Sequence, residues 1–226
     1  MIWSSVDSEK ALSALTKDFQ NTPRRFFTEH DLHSKLYQIV EFELIKNDHL
    51  FFKTSDNQKV SLVHHEYPTP FRCNMSNHDF IRVEETEKTK KGGLYRRGHY
   101  DLVVLNPDFV KSNELVVVEG KNYKEFCNAK SKIEATPLLW ACEVVFGSHY
   151  GDELPQNWSD YAIQDAKKLI ETLKPQVGQN LKFAEYASII VFLGSAPNDK
   201  TLEVEKQLKD FSRKNDFEIK LVTLNR

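Results

Sequence analysis

Cysteine is scarce in this chain, and the three that occur, Cys73, Cys127 and Cys142, lie far apart. They form no C-x-x-C zinc pattern, and their odd number argues for a reducing cytoplasm. Long apolar runs are also missing, since none approaches the roughly 18 residues of a transmembrane helix. Residues 1–5 lack the basic and apolar regions of a signal peptide. The sequence therefore predicts a cytoplasmic protein that does not associate with a membrane.

An excess of basic residues is absent too, because the formal net charge is −2. This balance excludes a globally basic nucleic-acid binder but leaves room for a local basic patch. Several nucleotide and hydrolase motifs are missing, including G-x-G-x-x-G and G-x-S-x-G. The pair Gly120-Lys121 is no Walker A loop, because no glycine stands five residues earlier and Asn122 replaces Ser or Thr. Residues 64–66 read His-His-Glu, which is not the H-E-x-x-H motif of zinc proteases.

Charged residues stand inside two strand-like apolar runs, residues 99–105 and 115–121. The first run contains Asp101, and the second contains Glu119 followed two residues later by Lys121. Charge within an apolar strand is costly unless it is paired or binds a metal. These two runs are therefore the part of the sequence that points most strongly to chemistry.

A hairpin of the two runs would pair Val103 with Val117 and Asp101 with Glu119. Side chains alternate between faces along a strand, so Asp101, Glu119 and Lys121 would share one face. Two carboxylates this close repel each other, and Mg²⁺ or Mn²⁺ between them would remove the conflict. An ordinary buried salt bridge of Lys121 with either acid remains the alternative that spacing leaves open.

Asp101 followed by Glu119-Gly120-Lys121 resembles the PD-(D/E)XK motif of the restriction-endonuclease-like nucleases, although Tyr100 stands where that motif has proline. The resemblance implies that Asp101 and Glu119 bind the metal and that Lys121 assists the attacking water. It implies a Mg²⁺- or Mn²⁺-dependent nuclease that acts on DNA, and no residue excludes RNA. A nuclease-like module without catalysis, which binds nucleic acid or serves a structural role, is the alternative.

Helices on either side of the motif supply further candidates. Thr28 and Asp31 predict a capping box at the start of a helix that carries Glu29. The resemblance implies a glutamate near the metal on this helix, although Glu29 would also suit the helix dipole. It also implies that Gln164 and Lys168, four residues apart on the later helix, together contact the site or the substrate, with plain helix surface as the alternative. Glu66 is a further acid that a neighbouring strand could bring to the site.

A charged segment precedes Asp101 and holds the best candidates for contacts with phosphates, namely Lys90, Lys91, Arg96 and Arg97. Lys168 is predicted to join them in binding nucleic acid. A solvated loop is the ordinary alternative for such a charge run.

The pattern predicts an α/β fold with a restriction-endonuclease-like core, in which helices cover both faces of a mixed central β-sheet. Residues 1–27 would form an N-terminal helical extension, and residues 28–226 the nuclease-like domain. The sequence leaves open whether two chains form a homodimer. Periodicity predicts strands at 59–67, 80–84, 187–193 and 217–224, and helices at 7–19, 28–44, 130–146, 160–173 and 200–214.

Overall fold

The computed structural model describes residues 2–55, 57–74, 80–82, 95–112, 135–147, 154, 158–175, 182–194 and 199–224. For residues 68, 70–74, 80–82 and 95–97 it describes the backbone alone. The helices are α1 (Ser5–Asn21), α2 (Glu29–Lys46), α3 (Pro107–Ser112), α4 (Trp158–Leu173) and α5 (Asp199–Asn215), with a 3₁₀ turn at Pro23–Arg25. The strands are β1 (Phe51–Lys53), β2 (Lys59–Ser61), β3 (Val63–Asn74), β4 (Phe80–Arg82), β5 (Tyr95–Leu105), β6 (Leu138–Phe146), β7 (Ala184–Leu193) and β8 (Ile219–Thr223).

Six of these strands form a mixed sheet in the order β4-β3-β5-β6-β7-β8, and β1 and β2 form a separate hairpin. The pairs β4–β3, β3–β5 and β5–β6 are antiparallel. The pairs β6–β7 and β7–β8 are parallel, as expected for strands that are joined through the helices α4 and α5. The central strands β5 and β6 therefore lie where the antiparallel half of the sheet meets the parallel half.

Helices cover both faces of the sheet, which confirms the predicted α/β class. On one face, apolar residues of α1 and α2 such as Leu15 and Leu36 pack with Leu102 and Trp140 of the sheet. On the other face, residues of α4 and α5 such as Leu169 and Leu208 complete a second buried cluster. Among the described residues, no helix has both the length and the apolar character that a membrane crossing requires.

Residues 138–146 form a strand, and the predicted helix over residues 130–146 is wrong in this part. The segment begins just after Pro137 and is buried along almost its whole length. The sequence of a strand that is covered on both faces is a continuous apolar run. Periodicity cannot distinguish such a run from a buried helix. The β-branched pair Val144-Val145 favours the strand.

The predicted hairpin register of β5 is also wrong. Val103 pairs with His64 on β3 and with Ala141 on β6, so neither edge of this residue is left for Val117. The segment after β5 begins with the short helix α3. Glu119 and Lys121 lie outside the described residues, and their roles stay predictions.

Strand β3 continues through Pro68 and Pro70, beyond the predicted stop at this point. Its pairing with β5 shifts register between Pro68 and Arg72. Such an irregularity accommodates prolines, which cannot donate to the ladder. The remaining predicted strands at 80–84, 187–193 and 217–224 and the helices at 160–173 and 200–214 are confirmed, with ends that shift by a few residues.

Candidate metal centre between strands β5 and β6

The ladder between β5 and β6 stops at residues 102 and 142, and side chains fill the gap beyond it, which we call the fork. The last pair in the ladder is Leu102 with Cys142. Beyond it, the Val144 N–H donates to the carboxylate of Asp101 at 2.7 Å. The Nε2–H of His33, on α2, donates to the Val144 carbonyl oxygen at 3.2 Å. Both polar groups of Val144 thus find side-chain partners in place of a neighbouring strand.

Two more charged side chains bind the backbone of the fork. The Phe146 N–H donates to the carboxylate of Glu29 at 3.0 Å. The ammonium of Lys168, on α4, donates to the carbonyl oxygen of His99 at 2.8 Å. Because these bonds satisfy groups that would otherwise be buried without partners, they hold the charged side chains in fixed positions.

Three carboxylates occupy opposed positions on adjacent strands. The pairing of Leu102 with Cys142 places Asp101 across from Glu143 on β6. On the other side, the pairs that flank Asp101 place Glu66 of β3 across from it. Glu66 has a φ of 47°, a left-handed conformation that costs roughly 1 to 3 kcal/mol for a residue with a side chain. Strain of this kind concentrates at functional sites.

Lys168 links Glu143 to a second acid on its own helix. Its Nζ lies 2.7 Å from Glu143 Oε1 and 2.9 Å from Asp165 Oδ1. Glu143 is 1% exposed, and among the described residues its Oε1 has no polar partner besides the Lys168 ammonium. A buried carboxylate oxygen with only this contact retains capacity for another cation.

His33 is the second cationic partner. Its Nε2 lies 3.3 Å from Asp101 Oδ2 and 4.0 Å from Glu29 Oε1. Burial acts to lower the pKa of His33, but the hydrogen bond and charge of Asp101, with the Val144 carbonyl and Glu29, outweigh it and raise the pKa to about 8. Burial likewise acts to raise the pKa of Asp101, but His33, Lys168 and the Val144 N–H hold it below its usual value.

The pKa values of Glu143 and Glu29 are raised, in contrast to that of Asp101. Burial, with the charge of Asp101, raises the pKa of Glu143 well above its usual value despite the ion pair with Lys168. Burial also raises the pKa of Glu29, with a further contribution from Asp101. Burial disfavours the charge of Lys168, but Asp165, Glu143 and Asp101 raise its pKa well above the ordinary value. These shifts indicate more carboxylates in the fork than His33 and Lys168 can neutralise.

The donor atoms suit a hard divalent cation. One atom each from His33, Glu66 and Asp101 lie within 4.8 Å of one another, close enough to share an ion. Carboxylate oxygens are preferred ligands of Mg²⁺ and Mn²⁺, and Glu66 and Asp101 supply two of them. Together with the carboxylate excess, this set fits the predicted metal.

Of the residues predicted for the site, the structure brings Glu29, Asp101 and Lys168 together. Glu66, whose place the sequence leaves open, joins them. Gln164 lies one turn before Lys168 on α4 and is half-buried. The ammonium of Lys168 is buried and is held by Glu143, Asp165 and the His99 carbonyl, and its predicted contact with nucleic acid stays a prediction.

The predicted basic patch is divided between strand β5 and residues outside the described part of the chain. Lys90 and Lys91 lie outside the described residues. Arg96 and Arg97 belong to β5, where their backbones pair with Cys73 and Arg72. Their contact with nucleic acid stays a prediction.

Sequence reasoning missed Glu143, His33 and Asp165. Glu143 carries the same signal that identifies Asp101, a lone acid within a buried apolar run, but the helix prediction for this segment obscures it. His33 stands one helical turn after Glu29, a spacing that places both on one face of α2. Asp165 precedes Lys168 by three residues, the spacing of an ordinary helix-surface pair.

Comparisons of the chain with protein-family models, with curated proteins and with solved structures each found no match. The chemistry of the fork therefore has to be inferred from its own geometry and charge.

Proposed function

We propose that the protein is a metal-dependent nuclease whose active site is the fork between β5 and β6. The observation that carries the proposal is the position of Asp101 across from Glu143, with the Lys168 ammonium against the second acid. The order α2, β3, β5, β6, α4, β7, with the short elements β1, β2, β4 and α3 left aside, supports it. A helix, a three-stranded meander, a helix and a strand are expected of a restriction-endonuclease-like core. DNA is the proposed substrate.

In this proposal Asp101 is the central metal ligand, with Glu143 on one side and Glu66 on the other. His33, which carries a positive charge beside Asp101 in the metal-free protein, would release its proton to join them as a ligand. When bound, Mg²⁺ or Mn²⁺ would neutralise charge on the scissile phosphate and increase the acidity of a water molecule. Lys168 positions Glu143 and compensates its charge in the buried part of the fork. The hydrogen bond from Val144 N–H keeps the Asp101 carboxylate in place.

The second acid and the lysine thus differ from those of the sequence motif. Glu143 holds the position opposite Asp101 that was predicted for Glu119, and Lys168 supplies the ammonium in place of Lys121. The proposal therefore assigns metal binding to Asp101 and Glu143, and it treats Glu119 and Lys121 as a separate hypothesis with its own variants.

A structural charge network without catalysis is the second candidate. It is favoured by the pairing of His33 with Asp101 and of Lys168 with Glu143, which neutralises part of the charge within the protein. The surplus carboxylates Glu29, Glu66 and Asp165 favour the metal site instead. A cytoplasmic location and a homodimer are also part of the proposal.

Cleavage of labelled single-stranded and duplex DNA tests the proposal. We expect cleavage with Mg²⁺ or Mn²⁺ and none with EDTA. Asp101→Asn and Glu143→Gln should each lower the rate at least about 100-fold, a loss typical of a group needed at the transition state. Glu185→Gln removes an exposed carboxylate on β7 and should cleave at the wild-type rate.

Undiminished cleavage by the Asp101→Asn variant would contradict the proposal. Loss of cleavage in Glu119→Gln, with full activity in Glu143→Gln, would instead assign the second ligand to Glu119. No cleavage of either substrate by the wild-type protein under any metal condition would favour the structural network.

A further inference from the structure

An aromatic cavity lies beside the fork, at the carboxyl ends of the parallel strands. Its volume is about 360 Å³, within the usual size of small-ligand pockets. Four phenylalanines dominate its walls, with Pro23 and Arg24 from the 3₁₀ turn: Phe19, Phe26, Phe27 and Phe146. A cavity with this much aromatic surface is suited to a flat, apolar ligand.

The cavity and the fork are built from the same two chain segments. Phe146 lines the cavity, and its N–H donates to the Glu29 carboxylate in the fork at 3.0 Å. Phe27 lines the cavity two residues before Glu29, and its N–H donates to the Asp31 carboxylate at 2.8 Å. The start of α2 and the end of β6 therefore hold both features in a fixed relation.

The inner wall of the cavity is packed against neighbouring rings, whereas Phe27 at its outer wall is exposed. Phe19 packs against Phe26 and Phe146, with ring centres 5.8 and 6.3 Å apart, so the inner wall is rigid. Phe27 is 66% exposed at the same cavity. A large aromatic ring left in water beside a ready-made aromatic cavity is a surface that a ligand can cover.

Positive charge lies next to this surface. Arg24 lines the cavity and Arg25 follows it, and both are exposed. Neither has an ion-pair partner within the described parts of the chain. Guanidinium groups beside an aromatic surface suit a ligand that combines a base with a phosphate.

We propose that this cavity binds one unpaired nucleobase of a single-stranded nucleic acid, which stacks on Phe27 while Arg24 contacts an adjoining phosphate. The inference rests on the proposed function, since it identifies the substrate class of the fork as single strands or frayed ends. A base in a duplex is paired and stacked within the helix, so it cannot enter such a cavity without being extruded. Stacking on an aromatic ring tolerates every base, which predicts weak sequence preference.

Fluorescence anisotropy with two labelled single strands of equal length tests the proposal, one an oligothymidylate and the other abasic. Both strands carry the same phosphates, so the difference in affinity reports the bases alone. Binding is measured to the full chain in EDTA, and to the Asp101→Asn variant in Mg²⁺, so that cleavage does not interfere. We expect the oligothymidylate to bind about 5- to 100-fold more tightly, the effect of stacking one base.

Phe27→Ala should abolish this preference, and Phe27→Trp should retain it. Phe42→Ala is the matched control, because Phe42 is 64% exposed on α2 and does not line the cavity. Equal binding of both strands, binding of neither, or a preference that survives in Phe27→Ala would each overturn the proposal. A base preference in a protein that cleaves nothing would refute the nuclease proposal alone, whereas a nuclease without the preference would refute this inference alone.

Discussion

At the scale of single residues, the fork contains charges that do not balance within the protein. Glu29, Asp101, Glu143 and Asp165 meet two basic groups, His33 and Lys168. Removing a carboxylate from water is costly unless a cation compensates it. The raised pKa values of Glu29 and Glu143 follow from this burial, to which the charge of Asp101 adds.

Lys168→Met should destabilise the protein by about 3 to 5 kcal/mol, because it leaves Glu143 buried without its cation. Adding Glu143→Leu should recover most of that loss, since the uncompensated acid is then gone. Urea unfolding of the two single variants, the double variant and the wild type measures the coupling. Additive losses in the double variant would contradict the assigned ion pair.

The pair of His33 and Asp101 should make stability depend on pH in metal-free protein. The pKa of His33 is about 8 in the folded protein, above its ordinary 6.5, so the charged imidazole favours folding. The stabilisation from this charge is on the order of 2 kcal/mol. It is fully present below the pKa of His33 in the unfolded chain and is lost as pH rises through the pKa of His33 in the folded protein.

Urea unfolding of wild type and His33→Gln in EDTA, between about pH 6 and 9, checks this prediction. The two stabilities should converge as pH rises. Lys46→Gln, which removes an exposed charge from the last turn of the same helix, should follow the wild-type curve. A stability difference between wild type and His33→Gln that stays constant across this range would show that the imidazole acts without its charge.

At the scale of elements, the sequence predicts the outer parts of the sheet better than its centre. Strands β7 and β8 and helix α5 are recognisable because apolar periodicity and turn residues mark them. Strand β6 is not recognisable in the sequence, because both of its faces are buried and its apolar residues therefore show no alternation. The register of β5 was misjudged for a related reason, since non-local pairing with β6 is invisible in a local pattern.

The same limits decide which site residues the sequence reveals. Asp101 stands out as an acid in an apolar strand, and Glu29 lies within a recognisable capping box, between Thr28 and Asp31. Glu143 was hidden by the wrong assignment of its segment. The joint action of His33 and Asp101 depends on α2 packing over the fork, a tertiary contact that spacing along the chain does not encode.

Helix α4 is fixed to β5 by a buried hydrogen bond just below the fork. The hydroxyls of Tyr100 and Thr172 lie 2.6 Å apart, and Thr172 also donates to the Lys168 carbonyl oxygen. Tyr100→Phe should therefore lower the free energy of unfolding by about 1 kcal/mol, the net value of one buried hydrogen bond. Thermal or urea unfolding measures this loss, and an unchanged stability would show that the bond contributes nothing.

At the scale of the whole molecule, the N-terminal segment is part of the main core. Trp3 is buried, its indole stacks on Trp140 of β6 with ring centres 5.8 Å apart, and its N–H donates to Ser8. Residues at the N-terminus of the chain thus cover β6, the central strand that carries Glu143.

Trp3→Ala should lower the free energy of unfolding by about 3 to 5 kcal/mol, as expected for removal of a buried aromatic ring. Val6→Ala, at a position 59% exposed on α1, should change it by less than about 0.5 kcal/mol. Circular dichroism during urea unfolding measures both. A small effect of Trp3→Ala would indicate that residues 1–27 contribute little to the stability of the sheet.

Isothermal titration of Mn²⁺ into metal-free protein tests most directly whether the fork binds a divalent cation. We predict saturable binding to the wild type, loss of binding in Asp101→Asn, and wild-type binding in Asp108→Asn, which changes an exposed acid on α3. Equal binding of Mn²⁺ by wild type and Asp101→Asn, or no binding by either, would contradict the account.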